Sequence, residues 1–316
     1  MADSSSRRLR SLKDTLTGYG VWHGIPPPEL EEFHLFSLPA AVIKPSVSGN
    51  KILPLVRGIA RQFWKKRILE LLGRALGHQT GHENEIKSVS WNASGSLLAT
   101  CSRDRTVWIW EVFPGNEYEC VSVLQGHTQD VKMVQWHPTM DLLFSCSYDN
   151  TVKVWAGDDD NDDWHCVQTL DESNNGHSST VWALSFNPSG NKMVTCSDDL
   201  TLKIWESDET RLHSGGGYSP WRHTCTLSGY HDRTIFSIHW SRNGIISSGA
   251  ADDSIRLFVE NQEKVIDGPS FQLLFKKEKA HNMDVNSVQW SPGEERLLGS
   301  ASDDGTIRIW ELIPIS

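Results

Sequence analysis

Residues 81–110 read GHENEIKSVSWNASGSLLATCSRDRTVWIW, and this stretch decides how the rest of the chain is understood. A Gly-His pair opens it, and Ile86, Val89 and Trp91 begin an alternating strand. Residues 92–95 form a turn, 97–102 a second strand, and 106–110 a third, with Asp104 in the tight turn between the last two. The pattern returns four times, behind Gly126-His127, Gly176-His177, Tyr230-His231 and Ala280-His281. Its closing aromatics are Trp110, Trp155, Trp205, Phe258 and Trp310, spaced 45, 50, 53 and 52 residues apart.

The repeat holds at hidden positions. Six residues before each closing aromatic stand Asp104, Asp149, Asp199, Asp252 and Asp304. Four residues before those stand Thr100, Ser145, Thr195, Ser248 and Ser300. With His82, His127, His177, His231 and His281, each unit offers His, Ser/Thr, Asp and an aromatic in one order. Four of the aromatics are Trp, whose indole N–H donates; Phe258 cannot. A period of this length with these residues is the signature of an all-β fold, a WD40-repeat β-propeller, with one structural hydrogen-bond network per blade.

The chain has 316 residues, and its 38% hydrophobic and 22% charged content suits a soluble protein. It has no apolar run long enough to span a membrane. Six cysteines do not make a disulfide framework, so a reducing compartment, cytosol or nucleus, is expected. The net charge of −10 is divided: residues 1–80 carry 12 Lys/Arg against 6 Asp/Glu, residues 81–316 carry 18 against 34. The acidic part, at −16, disfavours non-specific nucleic-acid binding.

Repeat units fall at about 81–112, 118–156, 164–206, 221–259 and 271–311, with each outer strand belonging to the preceding blade. Residues 1–80 contain no copy, and form an atypical basic segment. Within it, 57–76 reads as a basic amphipathic helix, with Ile59, Phe63, Ile68, Leu71, Leu72 and Leu76 on one face. Such a helix meets a membrane surface or partner, or covers an open propeller edge; a segment with no settled structure is the further reading. The chain runs only six residues past Trp310, so the strand that closes the last blade must come from residues 1–80; 33–38 and 40–43 are the candidates. The acidic loop 157–163 reads as a solvated connection, lacking the ligand spacing of a calcium loop.

Laid out in this way, specific strings resemble the cytosolic iron-sulfur assembly WD40 family, CIAO1 or Cia1, and its plant members in particular. They are residues 81–112, ECVSVLQGHTQDVKMVQWHP, STVWALSFNPSGNKMVTCSDDLTLKIW and CTLSGYHDRTIFSIHW. The resemblance covers residues 81–310. It implies a seven-bladed propeller acting as a non-catalytic scaffold that helps transfer clusters to cytosolic and nuclear apoproteins. It implies as partners a MIP18-type DUF59 protein, an MMS19-type adaptor, an iron-only-hydrogenase-like cluster carrier and apo iron-sulfur clients. The five units here depart from that pattern, as an alternative transcript or gene-model error would produce. The expected result is a C-shaped arc that binds partners poorly where contacts need the missing repeats. The competing class is a generic WD40 adaptor of ubiquitin-ligase, chromatin or signalling complexes, which repeat architecture alone does not separate.

No residues read as catalytic, metal-binding or cofactor-binding. The histidines and aspartates are spread one per blade rather than gathered at one substrate. Cys101, Cys146 and Cys196 recur at one repeat position, as packing residues do, and no C-x2-C spacing occurs. Partner-binding candidates follow from the shared face of the leading loops and b–c turns. Residues before each structural Asp should point outward: Arg103, Tyr148, Asp198, Ala251 and Asp303. Early residues of the innermost strands should line the channel mouth: Lys87, Lys132, Trp182, Phe236 and Asn286. Arg103, Tyr148, Trp182 and Phe236 are the first choices, joined by Lys87 and Lys132, because Arg and aromatics anchor interfaces. For Trp182 and Phe236, packing between blades is an equal reading.

Overall fold

The structure is a computed structural model describing residues 41–44, 81–114, 117–158, 163–207, 219–261, 270–293 and 296–314. The repeats fold into antiparallel four-stranded sheets. The first is β2 (Ile86–Trp91), β3 (Leu97–Ser102), β4 (Val107–Phe113) and β5 (Glu117–Leu124). The second is β6 (Val131–Trp136), β7 (Leu142–Ser147), β8 (Val152–Gly157) and β9 (Trp164–Leu170). The third is β10 (Val181–Phe186), β11 (Lys192–Ser197), β12 (Leu202–Glu206) and β13 (Arg222–Leu227). The fourth is β14 (Ile235–Trp240), β15 (Ile246–Ala250), β16 (Ile255–Glu260) and β17 (Phe271–Lys277). In the fifth, β18 (Val285–Trp290), β19 (Leu297–Ser302) and β20 (Ile307–Pro314) are joined by β1 (Ala41–Lys44).

That last pairing is the closure the sequence called for. β1 runs antiparallel to β20, with Ala41 opposite Pro314 and Lys44 opposite Glu311. It coincides with the second of the two candidate strands, moved by one residue, and it covers the edge that β20 would otherwise present. The other candidate, 33–38, and the helix read at 57–76 lie outside the described residues.

The core lies between sheets rather than within one. Innermost strands pack in succession, β2 on β6, β6 on β10, β10 on β14 and β14 on β18. Each contact joins apolar groups on the trailing face of one blade to an aromatic-containing leading face of the next. Ala99, Cys101, Val107 and Ile109 of the first blade thus bury Trp136, Trp155 and Trp164 of the second. Phe144, Cys146 and Val154 of the second meet Phe186, Trp205 and Trp221 of the third. Among the described residues no apolar cluster joins the fifth blade to the first. The consequence shows at the end of the innermost strand. Trp136, Phe186, Trp240 and Trp290 are 3%, 7%, 6% and 2% exposed, whereas Trp91 of the first blade is 48% exposed.

Candidate partner-binding face

Every blade ties its leading loop to its b–c turn through the same side chains. The imidazole Nδ1 of His82, His127, His177, His231 and His281 lies 2.8, 2.8, 2.8, 2.9 and 3.1 Å from the carboxylate of Asp104, Asp149, Asp199, Asp252 and Asp304. Nε2 faces Thr100, Ser145, Thr195, Ser248 and Ser300 at 2.9, 2.7, 2.7, 2.7 and 2.7 Å. Those hydroxyls accept from the indoles of Trp110, Trp155, Trp205 and Trp310 at 3.0, 2.8, 3.0 and 2.9 Å. Because indole only donates, the hydroxyl proton is free for Nε2, and Nδ1–H goes to the carboxylate; a neutral imidazole satisfies the whole chain. Phe258 breaks it in the fourth blade, packing edge-on to Tyr230 at 5.0 Å instead.

Burial pushes the imidazoles of His82, His127, His177 and His231 below their ordinary value, against the pull of the facing carboxylates. Burial would raise Asp149, Asp199 and Asp252, but hydrogen bonds from the histidines and from Thr151, Thr201 and Ser254 hold them well below the carboxylate range. These second donors were missed in the sequence. A Thr or Ser two residues past each Asp (Thr106, Thr151, Thr201, Ser254, Thr306) donates to its Oδ1. Their recurrence at one repeat position was the available signal.

The network positions the turns above it, and the turns meet the innermost strands at the channel mouth. Lys132 Nζ sits over the Tyr148 ring at 3.6 Å and near Trp182 at 4.8 Å. Tyr148, Trp182 and Phe236 follow one another edge-on, with centroids 5.6 and 5.0 Å apart, across the second, third and fourth blades. The Trp182 indole donates to Asp198 at 2.6 Å, which fixes the ring. Burial, with repulsion from Lys87, lowers Lys132 to about 8. Lys87 donates to Glu85 at 2.7 Å, and Asn286 donates to Asp303. Arg103 stands 63% exposed, 3.6 Å from Asp130 of the next blade; such an exposed pair contributes little to stability.

The mouth therefore gathers Lys132, Tyr148, Trp182 and Phe236 into one surface, with Lys87 and Arg103 held separately by acidic neighbours. Trp182 also packs against the core between the third and fourth blades, so the packing reading of that residue holds alongside its place at the mouth. One expectation fails. Ala251 does not point outward: it is 3% exposed, its N–H donates to Thr234 and its carbonyl accepts from Arg233. A small side chain there lets the Arg233 guanidinium lie across the turn. Asp130 and Arg233 were not singled out in the sequence, where charged residues of a polar loop carry no distinguishing pattern.

The recurring thiols do not reach this face. Cys101, Cys146 and Cys196 are wholly buried between blades. Burial pushes the Cys146 and Cys196 thiols well up, which opposes the thiolate form that binds metal.

The profile of the WD domain, G-beta repeat family matches residues 73–111, 118–156, 164–206 and 273–311, passing over the unit that ends at Phe258. A protein of Arabidopsis thaliana, "Protein CIA1", is 72% identical over 277 residues, covering 73% of this chain and 78% of the relative. The chain belongs to the CIA1 family of WD-repeat proteins. A Debaryomyces hansenii relative, "Probable cytosolic iron-sulfur protein assembly protein 1", is 40% identical over 255 residues, 73% of this chain and 64% of its own length. A Nematostella vectensis relative, "Probable cytosolic iron-sulfur protein assembly protein CIAO1 homolog", is 52% identical over 100 residues, 31% of each chain. Within the CIA1 family, then, this chain presents its mouth residues on blades two to four, each packed between two neighbouring blades.

Proposed function

We propose that the chain is a non-catalytic scaffold of cytosolic iron-sulfur protein assembly, acting in the cytosol and also in the nucleus. The observation that carries this reading is the mouth surface, Lys132 with Tyr148, Trp182 and Phe236, on a chain 72% identical to a relative named CIA1. A rigid array of aromatic rings with exposed Arg103 beside it suits docking of protein partners. The five histidine–aspartate pairs of the repeats are each held within a blade by structural hydrogen bonds, which supports a structural rather than a catalytic role for them. The partners are those of the pathway: a MIP18-type DUF59 protein, an MMS19-type adaptor, an iron-only-hydrogenase-like cluster carrier and apo iron-sulfur clients. Contacts made at the mouth of the described blades are the ones on which this reading rests. Affinity purification of the tagged chain tests this. Recovery of the MIP18-type subunit is expected, whereas recovery of only cullin-adaptor or histone complexes would transfer the chain to the generic adaptors.

A further inference from the structure

We propose that Lys132 is a site of covalent modification, an amine that takes an acyl group from an acyl thioester. The geometry begins with a difference between two blades. Lys87 and Lys132 hold the same repeat position, and each has a carboxylate two residues earlier, Glu85 and Asp130. In the first blade Lys87 Nζ donates to Glu85 at 2.7 Å. In the second, Asp130 has the shorter side chain and faces Arg103 of the preceding blade at 3.6 Å. Its carbonyl accepts from Tyr148 N at 2.9 Å, which brings that residue beside the start of β6. Lys132 Nζ accordingly lies over the Tyr148 ring, 3.6 Å from its centroid, and 4.8 Å from that of Trp182. Asp198, the remaining carboxylate here, accepts from the Trp182 indole at 2.6 Å. Among the described residues Lys132 has neither a hydrogen-bond acceptor nor an ion-pair partner. It is half-buried, shielded from water without being sealed from a reagent.

Such a place favours the neutral, nucleophilic form of an amine. Burial disfavours the ammonium, and Lys87 and Arg103 repel it, whereas Asp130 and Glu85 pull the other way. The outcome is about 8 instead of 10.5, a change of roughly 300-fold in the proton equilibrium. The two aromatic faces favour the ammonium, each by about two- to fivefold, which in product is smaller than the effect of burial. The reaction then balances without a further reagent. The Nζ lone pair attacks the thioester carbonyl and a C–N bond forms. The C–S bond breaks, sulfur leaves with the bonding pair, and one amine proton passes to it to give the free thiol. The amide carries no charge, which ends the repulsion from Lys87 and Arg103. An effect on partner docking would rest on the scaffold reading; the reaction itself does not.

Incubation of the full chain with acetyl-coenzyme A, followed by peptide mass spectrometry, tests the proposal with no partner present. Lys276, 47% exposed and paired with Glu278, is the internal comparison. Lys132 is expected to acetylate at least about threefold faster although it is half-buried, with a rate that levels off near pH 8. Tyr148→Ser opens the amine to water and should remove that advantage; should the variant misfold, the pH profile of the native chain still decides. Acetylation no faster than at Lys276, or a rate that does not level off below about pH 9.5, would overturn the proposal. So would a folded Tyr148→Ser protein in which Lys132 keeps its full rate.

Discussion

Asp149 accepts four hydrogen bonds, from His127 Nδ1, Thr128 N, Thr151 N and Thr151 Oγ1. Removing the carboxylate strands those donors, so Asp149→Ala should cost about 3 kcal/mol in urea unfolding. A loss under about 1 kcal/mol would mean the network is ornamental. The quartets were legible because four residue types recur at fixed offsets. The Thr and Ser donors two residues on were equally periodic, but reading Asp only as a partner of His left them out. Backbone strain was not legible at all. After each structural Asp comes a left-handed residue: Arg105, Asn150, Leu200 and Asp253, at φ 71, 68, 68 and 60°, and Gly305 at 79°. Leu200 is the least suited of these, since a left-handed leucine carries about 1–2 kcal/mol of steric cost. Leu200→Gly should therefore stabilise the third blade by about 1 kcal/mol, read as a higher urea midpoint; a lower midpoint would contradict the account.

β1 was the hardest element to find. Its four residues, AVIK, have no alternation, and only the demand that β20 be covered made them a candidate. Main-chain pairing along Ile313, Leu312 and Glu311 then fixes it independently of side-chain pattern. Removal of residues 1–44 should leave β20 as an open edge, with its amides exchanging at least tenfold faster and the protein aggregating more readily. Unchanged protection of β20 would show that β1 contributes nothing to the fifth blade. The fourth blade illustrates the opposite case. Its Phe258 departs from the repeat pattern and the family profile passes over it, yet its sheet is as complete as the others, with Phe258 buried in one cluster with Ile246 and Tyr230. Pattern matching depends on residue identity, whereas the blade depends on register and burial.

At the scale of the molecule, the pH dependence of stability follows from histidines buried between and within blades. His239, with Nδ1 accepting from Trp290 N across the fourth interface, is pushed down to about 4 by burial. Below its unfolded value of 6.5, the unfolded chain takes up protons that the folded chain refuses. Stability is thus fully present above about pH 6.5 and declines as pH falls towards 4, by on the order of 3 kcal/mol for this residue. His82, His127, His177 and His231 act in the same direction. A proton NMR titration should find His239 neutral down to about pH 5, and a midpoint near 6.5 would refute the burial argument. What the sequence could not convey at this scale is which faces stay uncovered, since Trp91 and Trp136 look alike until their neighbours are known. The central claim is that the mouth beside Arg103 receives the assembly partners. The direct measurement is the affinity of the purified MIP18-type protein for the intact chain and for Arg103→Ala, with the melting temperature followed in parallel. Arg103 is 63% exposed, so the account predicts roughly tenfold weaker binding at an unchanged melting temperature. Equal affinity of the two proteins, or weaker binding that merely tracks loss of the folded state, would contradict it.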